Sequence, residues 1–524
     1  MSGGILELFV ALAYSAARMF IAYLLSVASA LLIGIPMGRS EKLEKVLYPI
    51  IDVLQSVPIL GFFPFVITLT ANVLPPPYGI ELASILLIFT SQAWNMILGV
   101  YASVKFIPPY ILDMAKIYRL NLVAKLTKIY IPASIPAISK NSIISWAGGL
   151  FFLVSSEIIA LGSTNYALEG IGTYVQMALE SGDMQAVSLG IIGVMFLSIL
   201  TYILIWNPMY SATTEVSTGT EFVPKIDRPF KFFWRRLKIV AGNISDFLII
   251  VNANLSNKFL LKKPSFSKKA KLFTVIVTFT LLISYILVKF AEWLNRAQLE
   301  IWATGYSSLL IEATEGLLVS LLRITVVLIA GFFVVLAISY LLYEKTSIYR
   351  KGFVLSGEVL SSIPASLWWP IFISMISLGF PSELVSMFII FQGAIWYIFF
   401  NIALTGVGQV EKNIMEMAKI YKIKGRYKFF NIYVPMLTPF VLSGASSAWG
   451  GAWNATIVAE YAILGNQIIS LFGIGFLISE ATYSGNSQAL FLYILILTSF
   501  IVVLNRTLWA WLYSYAKKKY HIIE

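Results

Sequence analysis

The chain has 524 residues, 58% of them hydrophobic and only 12% charged, with a net charge of +12. Globular proteins carry about 25% charged residues, so most of this chain has no water-facing surface to offer, and the soluble-enzyme class is set aside. There is no Cys and a single His, His521, which removes disulfides, thiolate metal sites and His-centred catalysis.

A hydrocarbon core about 30 Å thick needs roughly 20 mostly apolar residues per helix. Eleven such stretches follow in chain order: 9–36, 46–73, 81–103, 138–161, 187–207, 272–291, 309–343, 353–380, 383–406, 436–464 and 488–514. The expected fold class is therefore all-α, a polytopic transmembrane protein. The first stretch runs too long for a leader and lacks a basic flank, so no cleavable signal is expected. Pro58, Pro64, Pro364 and Pro370 fall inside spans and should kink or interrupt them. Backbone groups released in this way are tolerated only beside protein or a water-filled cavity.

Lys and Arg concentrate in loops 39–45, 105–128, 225–271, 345–351 and 412–428 and in the tail Lys517–Lys519, whereas loops 74–80, 162–186 and 465–487 contain none. The asymmetry places the first set in the cytoplasm and the second outside. It puts the N-terminus outside and the C-terminus inside. It also accounts for the net charge without nucleic acid. Segment 208–271 carries twelve Lys and Arg against four Asp and Glu. It reads either as a solvated basic linker or, over 230–261, as an amphipathic helix on the inner leaflet.

The sequence is duplicated. Asp113-Met-Ala-Lys-Ile-Tyr118 returns as Glu416-Met-Ala-Lys-Ile-Tyr421 at an offset of 303, and the same offset carries Pro132 to Pro435, Glu157 to Glu460, and Gly170-Ile-Gly172 to Gly473-Ile-Gly475. Upstream, Asp52-Val-Leu-Gln-Ser-Val-Pro58 matches Glu358-Val-Leu-Ser-Ser-Ile-Pro364, and Ser15-Ala-Ala-Arg18 matches Ser320-Leu-Leu-Arg323. Five spans per repeat carry the chain from outside to inside, so a second copy in the same orientation needs one extra crossing, and 272–291 supplies it. The repeats are parallel, unlike the inverted repeats of many secondary transporters. The expected division is 1–207, a basic linker 208–271, the extra span with an outward segment 272–308, and 309–524.

Each repeat has one polar cytoplasmic loop between its third and fourth spans. Asp113-Met114-Ala115 is followed by Ile129-Tyr130-Ile131-Pro132, and Glu416-Met417-Ala418 by Ile432-Tyr433-Val434-Pro435, at one spacing. The pattern resembles the coupling loop of ABC importer permeases, E-A-A, three residues, G, nine residues, I-x-L-P. The outward stretches Glu157 to Gly172 and Glu460 to Gly475 are similar to the nitrate/sulfonate/taurine subgroup of that family. The resemblance implies two permease domains in one chain and a short helix in each loop that docks in a cleft of a separate ATPase subunit. Met114, Ile117, Met417 and Ile420 would fill the cleft, Lys116, Arg119, Lys419 and Lys422 would pair with acidic groups at its rim, small Ala115 and Ala418 would permit close approach, and Pro132 and Pro435 would begin the return into the membrane. The signature glycine is Arg119 in one copy and Lys422 in the other. The turn that glycine permits is expected to move, to Asn121 and Gly425.

No G-x-x-x-x-G-K-[ST] occurs, so ATP is expected to bind a separate subunit, and the chain itself to need no cofactor. The resemblance implies two ATPase subunits inside and a solute-binding protein outside. The shared Met-Ala-Lys-Ile-Tyr core points to an ATPase homodimer. Intramembrane charges are functional hypotheses by default. Arg18 and Arg323 either face an anion, or snorkel or pair with Glu or Asp. Glu157 and Glu460 either form an outer gate or end their helices. Gln55, Ser56, Ser361 and Ser362, beside the kinking prolines, are pathway candidates, and Asn454, opposite Phe151 in the other copy, makes the pathway walls unlike. A secondary transporter or channel is the alternative; it calls for acidic residues at mid-membrane, and none is seen.

Overall fold

The computed structural model describes residues 5–59, 77–161, 164–206, 306–343, 378–400, 412–464 and 467–512, with shorter pieces at 61–75, 208–209, 352–376, 402 and 514–515. The linker beyond 209, the expected span 272–291, the C-terminal lysines, Ser362, Pro64, Pro364 and Pro370 lie outside the described residues, as does the side chain of Ser56.

The first repeat runs α1 (Ile5–Ser29), α2 (Glu41–Ser56), α3 (Tyr78–Lys105), α4 (Pro109–Ile117), α5 (Ile131–Glu157), a hairpin of β1 (Ile158–Leu161) and β2 (Thr164–Ala167), α6 (Ile171–Glu180) and α7 (Met184–Thr201). The second repeats the plan with α8 (Tyr306–Tyr343), α9 (Ser382–Phe400), α10 (Lys412–Ile420), α11 (Val434–Glu460), β3 (Tyr461–Leu464), β4 (Gln467–Ser470), α12 (Ile474–Tyr483) and α13 (Ser487–Leu504). Local chemistry sets several ends. Ser40 Oγ accepts from Leu43 N at the start of α2, Asp183 Oδ1 from Gln185 N and Ala186 N at α7, and Asn486 Oδ1 from Ala489 N at α13, each satisfying donors that a helix start leaves open.

Seven described helices are long and apolar enough to cross a membrane. Three departures from the sequence expectation are physical. The expected span 46–73 is not one helix: α2 stops at Ser56, Val57 is extended, and helix resumes near Ile59. Pro58 has no N–H to continue the ladder. In the second copy, short helical pieces and a 3-10 turn, Ala365–Trp368, stand in the corresponding region. The expected spans 138–161 and 436–464 end early, at Glu157 and Glu460, where antiparallel hairpins take over with Ile158 opposite Ala167 and Tyr461 opposite Ser470. Among the described residues the fold is all-α apart from these two hairpins.

The halves interlock. Asn454 of α11 accepts the N–H of Ile59 through its Oδ1 at 2.5 Å, satisfying a donor released where the first repeat's second span breaks. The second repeat's 3-10 turn in return packs against α5.

A Cβ added at Gly170 would land on the Glu157 carboxylate, and one at Gly473 on that of Glu460, whereas at Gly148 it would meet only ordinary contacts at 3.6 Å. Gly170→Ala and Gly473→Ala should therefore each destabilise the purified chain by about 3 kcal/mol, the scale of a disrupted buried ion pair. Thermal unfolding in detergent should show Gly148→Ala close to wild type.

Candidate functional site

The polar loops between the third and fourth spans of each repeat present twin helices, α4 and α10. In each, the alanine of the motif faces inward, with Ala115 3% and Ala418 2% exposed, while Met114, Ile117 and Tyr118 and their copies Met417, Ile420 and Tyr421 are all more than half exposed. Burying such side chains is favourable wherever a surface is available to cover them. Lys116 Nζ pairs with Asp113 Oδ1 at 2.8 Å on the open surface, an arrangement worth little by itself. Asp113, Arg119, Glu416, Lys419 and Lys422 are also exposed. Pro132 and Pro435 stand in the first turns of α5 and α11.

The turns after α4 and α10 correct the sequence expectation. Arg119 has φ 47° and Lys422 φ 53°, so the left-handed residue stays where the family pattern has glycine. It does not move to Asn121, which instead caps the next short helix by accepting from Ala124 N, whereas in the second copy Gly425, as expected, is left-handed at φ 61° in addition to Lys422. Leu120 N donates to Ala115 O and Arg119 N to Lys116 O; Ile423 N donates to Ala418 O and Lys422 N to Lys419 O. This is the Schellman pairing. The ends of α6 and α12 carry the same pairing with Gly182 and Gly485. At Arg119 and Lys422 a long cation is held in a conformation that costs a non-glycine residue about 1–2 kcal/mol.

Between the repeats lies a cavity of about 110 Å³, room for on the order of ten waters at about 10–15 Å³ each. Gln55, Ser361 and Asn454 line it, together with Asn95, Gln392, Trp94 and Trp449, and none of its lining residues carries a formal charge. Trp146 and Trp453 sit elsewhere, fully buried in the core.

Arg18, Arg323, Glu157 and Glu460 are not in that lining; they are buried and form two clusters of one pattern, which Glu81 and Glu383 close from the solvent side and to which Arg323 Nη1 adds a bond to Phe472 O. Arg18 Nε and Nη2 hold both oxygens of Glu81 at 2.7 Å, and Nη1 reaches Glu157 Oε1 at 2.8 Å. Glu157 also accepts from Ser15 Oγ at 2.5 Å and from Gly172 N at 2.7 Å, and Ile171 N donates to Ser15 Oγ at 2.9 Å. In the second copy Arg323 holds Glu383 and Glu460, and Glu460 accepts from Ser320 Oγ and Gly475 N. Of the readings open from the sequence, the structure places Arg18 and Arg323 in carboxylate pairs and Glu157 and Glu460 as the last residues of their helices. The partners Glu81 and Glu383 were missed. The repeat carried the signal, since both open the third span of their copy.

A family model described as binding-protein-dependent transport system inner membrane component matches residues 30–206 and again 345–514. The two matches cover well over half of the chain. The chain belongs to that family, with two copies of its unit. Among curated relatives, a nitrate import permease protein of Synechocystis is 32% identical over 24% of this chain and 42% of its own length. A bicarbonate transport system permease protein of the same organism is 29% identical over 24% and 41%. The taurine transport system permease protein of Escherichia coli is 27% identical over 37% and 64%. The chain spans about half the length of the curated relatives it matches. Family membership makes it a multi-pass inner-membrane transport component.

Glycine in place of Arg119 or Lys422 should preserve both Schellman bonds and relax the turn by about 1 kcal/mol, whereas Val should open it. Amide hydrogen exchange at Leu120 and Ile423 should slow or hold steady in the glycine variants and speed up in the valine ones.

Proposed function

We propose that this chain supplies both transmembrane domains of an ATP-driven importer, with two copies of one ATPase docked on α4 and α10 and a solute-binding protein on the outer face. The carrying observation is the pair of exposed Met-Ile-Tyr surfaces on equivalent helices of the two repeats. Identical knobs at two equivalent positions suit two identical clefts, which favours an ATPase homodimer. Exposed Lys116, Arg119, Lys419 and Lys422 add complementary charge for acidic groups at each cleft rim. The basic loops face the cytoplasm, the hairpins and clusters face outward, and the N-terminus lies outside.

The solute is a small anion. The relatives named for nitrate, bicarbonate and taurine support this class, since nitrate and bicarbonate are oxyanions and taurine bears a sulfonate. The cavity offers amide and indole N–H groups, hydroxyls and no carboxylate, so it can replace part of an oxyanion's hydration without holding it tightly. Gln55, Ser361 and Asn454 lie on that route, with Ser56 and Ser362 assigned to it by sequence position alone. A pathway through which solute must leave gains nothing from a deep site, and capture of dilute solute falls to the binding protein.

Lys116→Glu combined with Lys419→Glu should reduce ATPase co-purification at least tenfold while the chain stays monodisperse in detergent. Undiminished co-purification would show that α4 and α10 are not the docking surface. The chain purified alone should hydrolyse no ATP, and turnover by it would contradict the assignment.

A further inference from the structure

Lys140, inside the membrane-spanning helix α5, is a charged side chain that belongs to neither cluster. Lys140 lies nine residues past Ile131 in α5, about 13 Å into the helix at 1.5 Å per residue. No hydrogen bond or ion pair joins it to a described residue. Inserting a lone ammonium at such depth is costly, and membrane proteins keep one where it serves a pathway or meets a partner.

Helical register fixes its direction. Residues at i, i+4, i+7 and i+11 share a face, and from Lys140 these are Ile144, Ala147 and Phe151, all of which line the cavity. Lys140 therefore stands on the cavity's own stripe, one turn nearer the cytoplasm. Lys140 itself is half-buried, and Ile144, Ala147 and Phe151 beyond it on the same stripe are all buried, so this stripe turns towards protein. A long ammonium stem extends towards water, helical side chains lean towards the helix N-terminus, and here that direction runs down the pathway. The equivalent residue of α11 is Ser443, so the second copy has no matching cation.

We propose that Lys140 is the anion-attracting group of the translocation pathway, drawing solute from the uncharged cavity towards the cytoplasm. This rests on the anion-importer reading and adds to it the residue that makes the route favour negative charge. The cavity lining supplies hydrogen bonds without charge, and whereas Arg506 beside it lies 3.8 Å from the Asp52 carboxylate, Lys140 has no such partner among the described residues and tilts the potential in the direction of import.

The chain has no Cys, so one introduced thiol reports local potential. Ala137 is half-buried and lies one turn nearer the cytoplasm than Lys140, on the same face. With Ala137→Cys in vesicles open on the cytoplasmic side, an anionic sulfonate-bearing methanethiosulfonate should react faster, relative to its trimethylammonium counterpart, when Lys140 is present. Lys140→Met should lower that ratio roughly tenfold, and Lys140→Arg should keep it, as expected for a unit charge within about 8 Å in a partly screened site. In proteoliposomes with the partner ATPase and binding protein, nitrate uptake should fall several-fold in Lys140→Met and recover in Lys140→Arg. An unchanged labelling ratio overturns the proposal, and so does a lowered ratio with undiminished uptake. A wild-type complex that imports none of nitrate, bicarbonate or taurine overturns the anion reading itself, and the role of Lys140 with it, even where the labelling ratio falls.

Discussion

A guanidinium taken out of water must be met by carboxylates, and the carboxylates it gathers here come from three separated parts of each repeat. Arg18 on α1 draws in Glu81 from the first turn of α3 and Glu157 from the last of α5, and the second oxygen of Glu157 then anchors the start of α6 through Gly172 N. Arg323 repeats the arrangement in the second copy. Breaking such a buried set costs about 3–5 kcal/mol, because it strands a charge. One end of each of four elements is thus locked together in each repeat. The Gly-x-Gly stretch follows from this, since only a residue without a Cβ lets the backbone lie against the carboxylate.

Ends locked in this way leave the remainder of each span to vary. The clusters are alike in the two repeats and so are the α4 and α10 turns, but the middle is not. Asn454 takes the place of Phe151, and its amide serves the backbone break beyond Pro58 in the other repeat. A broken helix needs a polar partner from outside its own ladder. Here that partner comes from the opposite half, which ties the pathway wall to the seam between repeats. Symmetry is kept at the clusters and at the α4 and α10 turns and lost at the seam between the repeats.

Much of this was legible in the sequence, because the duplication showed each feature twice. The loop spacing around Ala115 and Ala418 and the break at Pro58 could be read from residue types, whereas Pro132 and Pro435, expected to begin the return helices, lie inside helical runs that already start at Leu122 and Gly425. Three things could not. The hairpins after Glu157 and Glu460 are apolar, Ile158-Ile159-Ala160-Leu161 in the first, and apolar runs of that length do not separate strand from helix. The partners of Arg18 and Arg323 depend on helix packing, which no local pattern encodes. The left-handed turn was expected to leave Arg119 and Lys422 on propensity grounds, yet the Schellman bonds and the helix that follows over-determine the position and hold it there. Lys140 was hidden by its own span, one charge among apolar residues, until the cavity gave its face a meaning.

The two transport readings differ in what drives solute across. An ATP-driven permease needs its ATPase; a secondary transporter needs an ion gradient and nothing docked on its loops. The decisive measurement is solute uptake into proteoliposomes containing this chain, with the ATPase, the binding protein, nucleotide and an imposed ion gradient each added or withheld. The account predicts uptake only when ATPase, binding protein and ATP are all present, with no dependence on a proton or sodium gradient. Uptake driven by such a gradient in the chain alone would contradict it.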